Sequence, residues 1–289
     1  MHAWVKETVM KNRTYKGKLT APNLMGKSLV WLYGLLVLIP IYFIIITAFK
    51  TDAEITKAPL DWPVEFRWQN IVDAFKQGEL LRALWNSVYT TVIGVALALI
   101  NAIILSYVCH RLRNYKVGIL LYTIILMGLF IPKVGFVSQI MLYRDLKIYN
   151  SHWALILGTA VGNIPFSVFI IAGFLRTVPK ELEEAAILDG CNDFQLLMRI
   201  LVPVIKPALI TIGIFTFTGA WNSCTGPLLF IRDEELYTIP MALLTFNSTY
   251  STSYSLLFAA ILTTGLPLVI AYLICQKYFT QALAGSVKG

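Results

Sequence analysis

Bond-making chemistry needs a nucleophile beside a base, or ligands at metal spacing, and the chain offers neither locally. Cys109, Cys191, Cys224 and Cys275 are scattered with no Cys-x-x-Cys pair and read as small buried hydrophobes. His2, His110 and His152 stand apart, so no metal site assembles from local spacing. Gly26, Lys27 and Ser28 have the form of the end of a phosphate-binding loop, but Ala21 stands where the leading glycine belongs and no strand precedes it. No Gly-x-Ser-x-Gly or His-Glu-x-x-His run occurs. Catalytic residues and metal ligands are therefore both expected to be none. The informative spacing is in 179–201. Pro179 suits the first position of a helix, Glu181, Glu183 and Glu184 favour its early turns, and Gly190 suits the left-handed position past its end. A second helix is expected to start at Asn192 or Asp193, both good N-caps. Phe194, Leu197, Met198 and Leu201 follow as one apolar stripe, which Pro203 and Pro207 interrupt. This is helix, glycine turn, helix. Ala185 and Ala186 are small enough for a partner surface to approach the backbone. On pattern alone, an amphipathic loop packed on its own domain fits equally.

The elements that position this segment belong to a bilayer. The chain has 289 residues, 57% hydrophobic and 14% charged, with a mean hydropathy of +0.68. Soluble domains carry about 25% charged residues, so a soluble, disordered or coiled-coil chain is excluded. Six segments are long enough to span, at 28–49, 85–108, 117–143, 153–175, 208–231 and 256–275. The first reads as an uncleaved signal anchor, because its apolar run is long and no small-x-small cleavage site follows. The third is broken by Pro132, Lys133 and Gly135. The expectation is an all-α membrane protein of six transmembrane helices, with a cytoplasmic helix-turn-helix between spans 4 and 5. Its parts are a basic N-terminal segment (1–28), a membrane domain (29–279) containing the segment 177–206, and a C-terminal tail (280–289).

Basic residues orient the spans. With a cytoplasmic N-terminus, the inside segments hold fifteen Lys and Arg and the outside segments eight, which puts both termini in the cytoplasm. The net charge of +8 thus reflects topology. No aromatic-interleaved basic patch suggests nucleic acid. Outside, 50–82 and 232–255 are too polar to span; each is a partner contact or a solvated connector. Lys133, at membrane depth, either attracts an anionic substrate such as a uronate oligosaccharide or snorkels to the outer surface beside Pro132. Asn101, Asn163 and Gln139 line a pathway or bond between helices. An intramembrane enzyme would need paired catalytic groups, and the spans contain no Asp, Glu or His apart from the boundary residue His110.

The run Glu184, Ala185, Ala186, x3, Gly190, x9, Ile200, x, Val202, Pro203 resembles the EAA motif of ABC importer permeases, with Val202 where the family has Leu. Asn86 and Ser87 open the second span as in sugar permeases. Gly219 to Asn222 followed by Gly226, Pro227 and Leu228 resembles their fifth span, with Ser223 in place of the usual acid. The tail Gly285, Ser286, Val287, Lys288 and Gly289 resembles the end of MalG-type permeases for oligosaccharides. The chain is thereby identified as a member of the carbohydrate-uptake permeases, with the type I importer fold.

The resemblance implies a bacterial cytoplasmic-membrane subunit paired with a homologous MalF-type permease. Two cytosolic ATPase subunits would carry ATP and Mg, this chain binding no cofactor itself, and an extracytoplasmic solute-binding protein would deliver the sugar. It implies ATPase coupling through Glu184, Ala185, Ala186, Leu188, Asp189, Gly190 and Phe194, and a tail (285–289) at the ATPase interface. Tyr250, Ser251, Ser253 and Tyr254 match the position of a loop that reaches the binding protein's sugar cleft. Lys133, Asn163 and Asn222 are candidates for the pathway. A permease for a non-sugar solute, such as polyamine or phosphate, would share the coupling motif. The Trp221–Asn222 region and the tail favour sugar.

Overall fold

The computed structural model describes residues 21–131, 135–246 and 253–286. Among these there are helices and no strands. In chain order they are α1 (Ala21–Ala48), α2 (Asp52–Lys57), α3 (Gln69–Gln77), α4 (Leu80–Arg111), α5 (Lys116–Met127), α6 (Phe136–Asp145), α7 (His152–Gly162), α8 (Ile164–Leu175), α9 (Lys180–Leu188), α10 (Asp193–Gln195), α11 (Val202–Trp221), α12 (Thr225–Phe230), α13 (Ile239–Leu244) and α14 (Tyr254–Ser286).

Four helical stretches are long and apolar enough to cross a membrane: Gly26–Ala48, Leu80–Arg111, His152–Leu175 and Asp193–Trp221. The expected third span is instead two short helices, α5 and α6. The expected fifth span breaks at Asn222, Ser223 and Cys224, and α12 follows separately. Glycine flanks the first break, Gly128 after the end of α5 and Gly135 before the start of α6, and glycine disfavours a continuing helix.

The centre of the bundle is α4, which packs against α7, α8 and α11. Its buried face carries Ala83, Ser87, Thr90, Thr91, Gly94, Ala98, Ala102 and Ser106, small residues that let neighbouring backbones come close. At Gly94 an added Cβ would lie 3.1 Å from Cβ of Thr159 on α7. Conversely, α1 exposes apolar side chains from Leu29 to Ile41, as a surface meeting lipid or another apolar chain does.

Two cores lie toward opposite ends of α4. One joins Leu80 and Ala83 to Ala48, Phe49, Ala74, Ala242, Phe246, Ala259 and Ala260. The other joins Ala102 to Ile171 and Leu175 of α8 and to Ala186, Leu196, Leu197 and Leu201. The 179–201 segment is therefore built into the membrane domain on one side.

Candidate functional site

The segment around Gly190 forms from local rules. Pro179, extended at φ −60° and ψ 136°, is the N-cap of α9 rather than its first helical residue. Glu181 and Glu183 occupy the first turn, where the helix dipole favours them. The end is a two-bond left-handed cap: Cys191 N–H donates to the Ala186 carbonyl and Gly190 N–H to the Ile187 carbonyl, both at 3.0 Å. Gly190 has φ +83°. Asn192 then caps α10, its Oδ1 accepting from Gln195 N–H at 2.8 Å while Gln195 Oε1 accepts from Asn192 N–H at 3.0 Å.

From here the structure departs from the expected pattern. Pro203 and Pro207 do not stop the helix; Asp193–Trp221 runs on as one helical stretch. A π-helical turn at Leu196–Leu201 precedes Pro203, and such a widened turn tolerates a missing backbone donor. It also changes the phase of the side chains. The expected single stripe divides: Leu197 and Leu201 are buried with Leu196, whereas Phe194 and Met198 are exposed.

The coupling candidates fall on two faces. Glu184, Ala185, Leu188, Asp189, Gly190 and Phe194 are exposed, with Leu188 at 88% and Phe194 at 68%. Ala186 faces the other way, in the core; it is the one alanine of the pair that is packed against the chain itself.

What holds this segment to the membrane domain was not foreseen. Glu183, not Glu184, turns inward, its Oε1 lying 2.8 Å from His110 Nε2 at the end of α4, with both side chains buried. With Glu183 ionised, Nε2–H is the donor. Beyond the glycine turn, Asp193 Oδ1 accepts from Arg111 Nη2 at 2.8 Å and from the Tyr107 hydroxyl at 3.0 Å. The available signal was His110 and Arg111 ending an apolar run, opposite an acidic segment.

A cleft of about 540 Å³ lies toward the other end of α4, lined by Ser87, Thr90, Gln139, Thr159, Asn163 and Thr225 among others. None of the described residues lining it is charged. Asn163 lines the cleft while its Nδ2 donates to the Thr159 carbonyl at 2.9 Å. Asn222 is exposed, outside this lining, its Nδ2 turned back to the Thr218 carbonyl at 3.0 Å. Lys133 lies outside the described residues.

The first part of 232–255 is folded rather than a free connector. Asn86 Nδ2 donates to the carbonyls of Glu235 and Tyr237 at 2.8 and 3.0 Å. Ser87 Oγ accepts from Ile239 N–H at 2.8 Å. Ser253 precedes α14, and Tyr254 begins it half-exposed. Tyr250 and Ser251 lie outside the described residues. Gly285 and Ser286 end α14; Val287, Lys288 and Gly289 are outside.

The family model for the binding-protein-dependent transport system inner membrane component matches residues 94–285. The chain belongs to that family. As such a permease it is a multi-pass protein of the inner membrane. It is 34% identical over 271 residues to "Probable ABC transporter permease protein YurM" of Bacillus subtilis, covering 92% of this chain and 90% of YurM. It is 27% identical over 268 residues to the diacetylchitobiose uptake system permease protein NgcG of Streptomyces coelicolor, covering 91% and 86%. YurM agrees with the likeness to ABC importer permeases carried by Glu184 to Pro203, and NgcG with the likeness to carbohydrate-uptake permeases carried by Asn86, Ser87, 219–228 and the tail. Its fold is like that of a chain in the crystal structure of a bacterial ABC transporter involved in the import of the acidic polysaccharide alginate. The TM-score is 0.80 at 22% identity, over 93% of this chain and 100% of that one.

Proposed function

We propose that this permease is the transmembrane subunit of an ATP-driven, binding-protein-dependent oligosaccharide importer. It forms half of the translocation pathway beside a homologous MalF-type permease. Two ATPase subunits hold ATP and Mg and perform hydrolysis; this chain is not catalytic. The 179–201 segment is the ATPase seat, and six spans place it and both termini in the cytoplasm. In that topology α5 with α6 forms the third span, α11 with α12 the fifth, and α14 the sixth.

The observation that carries the reading is the two-faced coupling segment. Ala186, Leu196, Leu197 and Leu201 are buried in the core of the chain, while Leu188, Phe194 and Glu184 stand in the open, Glu184 beside buried Glu183 and exposed Ala185. An exposed ion pair at Glu184 would be worth about 0–1 kcal/mol, so apolar contact by Leu188 and Phe194 supplies most of the docking. The sugar assignment draws on the relatives. It also draws on the cleft, whose hydroxyl and amide groups match the hydrogen-bonding needs of a neutral sugar.

The test is ATPase activity of the complete complex, assembled with its partner permease, ATPase and binding protein, against neutral and acidic oligosaccharides. Stimulation by neutral oligosaccharides is expected. Stimulation by acidic sugars alone, lost in Lys133→Gln, would instead make Lys133 the substrate-charge reader. Stimulation only by a non-sugar solute would refute the sugar assignment.

A further inference from the structure

We propose that α4 is the force-transmitting rod of this subunit, with His110, Glu183, Arg111, Asp193, Asn86 and Ser87 as its positioning residues. The inference rests on the reading of 179–201 as the ATPase seat.

Two side-chain clamps grip the coupling segment from one end of α4. Glu183 is held by His110 before the Gly190 turn, and Asp193 by Arg111 and Tyr107 after it. The turn is therefore fixed on both sides to the same helix, and a displacement of the segment is passed to α4 instead of being absorbed by the turn. The His110–Glu183 clamp is buried, where a hydrogen bond competes little with water.

The opposite end of α4 carries a second pair of clamps. Asn86 is 5% exposed and holds the carbonyls of Glu235 and Tyr237, while Ser87 holds the Ile239 amide. These fix the chain leading into the expected binding-protein loop. Asn86 and His110 are 24 residues apart on one helix, about 36 Å at 1.5 Å per residue.

What lies between the clamps is unusually stiff for this molecule. Proline lies within α1 at Pro40, within α11 at Pro207 and within α14 at Pro267, each removing one backbone donor from a helix that nonetheless continues. The stretch His152–Leu175 breaks at Asn163. No proline lies within α4, which runs unbroken from Leu80 to Arg111. Among the described membrane-length helices it is the one suited to carrying a displacement end to end. It also contacts α7, α8 and α11 along its length, so its motion moves the helices around the cleft.

The experiment uses the complete complex and measures stimulation of ATPase activity by sugar-loaded binding protein. Equal assembly is checked by co-purification of the ATPase and partner permease. Absence of stimulation with the wild-type chain would overturn the importer reading, and the rod with it. Given wild-type stimulation, Glu183→Ala and Asn86→Leu are each expected to reduce it about fivefold or more, the lower end of ordinary coupling between sites. Glu183→Gln keeps a partner for His110 and is expected to retain most of it. The double variant Glu183→Ala, Asn86→Leu should lose less than the product of the two single losses, because residues coupled through one helix are not independent. If Glu183→Ala does not assemble, Asp193→Ala replaces it with the same non-additive expectation. Unchanged stimulation in both single variants, or losses that multiply in the double variant as for independent sites, would overturn the rod.

Discussion

Gly190 sets the geometry on which the proposed coupling depends. Its φ of +83° is in the left-handed region, yet a Cβ placed there meets nothing within 4 Å. A side chain at 190 is therefore disfavoured by backbone strain and not by collision. Gly190→Val should cost about 1–2 kcal/mol in the turn, and Gly190→Asn less, because asparagine visits this conformation more readily. Binding-protein-stimulated ATPase activity should fall in the order wild type, Asn, Val; equal loss in both variants would point to a steric role instead. This turn was legible in the sequence, because a glycine after an acidic helix start has one common use. The direction of neighbouring side chains was not. Glu183 and Glu184 are adjacent acids with the same local preference. Only the packing of α9 against α4 decides that Glu183 meets His110 while Glu184 faces outward.

At the scale of elements, the connector between α1 and α4 is a folded ledge. Thr51 and Glu54 form a reciprocal capping box at α2, and buried Lys50 donates through Nζ to the carbonyls of Ala58 and Pro59 at 2.9 and 3.2 Å. Glu54 is held below the usual carboxylate range, first by the Thr51 backbone N–H and then by its hydroxyl, with the Val64 N–H adding to the effect. A lowered folded pKa means the capping contribution is present above the unfolded value, about 4.3, and is lost as pH falls through the folded one. The protection of α2 amides, taken relative to intrinsic exchange at each pH, should be higher at pH 7 and fall on acidification below the unfolded value. Glu54→Gln should remove that acid-dependent change. The apolar runs that build α1, α4, α7 with α8, and α11 were legible from hydropathy. The joins were less so. Pro203 reads as a stop in isolation, but a π-turn carries the helix past it, and that turn splits Phe194 and Met198 from Leu197 and Leu201. Likewise, composition alone joins α5 to α6, whereas α5 ends at Met127 and α6 starts at Phe136.

For the whole molecule, the arrangement is a membrane domain with polar groups concentrated at the two ends of one central helix. The cleft lies toward one end, its lining a mixture of apolar side chains with neutral hydroxyls and amides. The 179–201 segment lies at the other, half buried in the core and half presented outward. The all-helical class and the helix, glycine turn, helix at 179–201 were legible because bilayer length and local capping rules both constrain the sequence strongly. The cleft was not, because it is assembled from residues on α4, α6, α7, α11 and α12, whose contacts no local spacing encodes. The most direct measurement is ATP-driven uptake of labelled oligosaccharides into proteoliposomes containing the complete complex. The account predicts accumulation of a neutral oligosaccharide that requires both ATP and the binding protein and is lost when Leu188 and Phe194 are replaced together by Asp. Uptake that survives that replacement, or that proceeds without ATP, would contradict it.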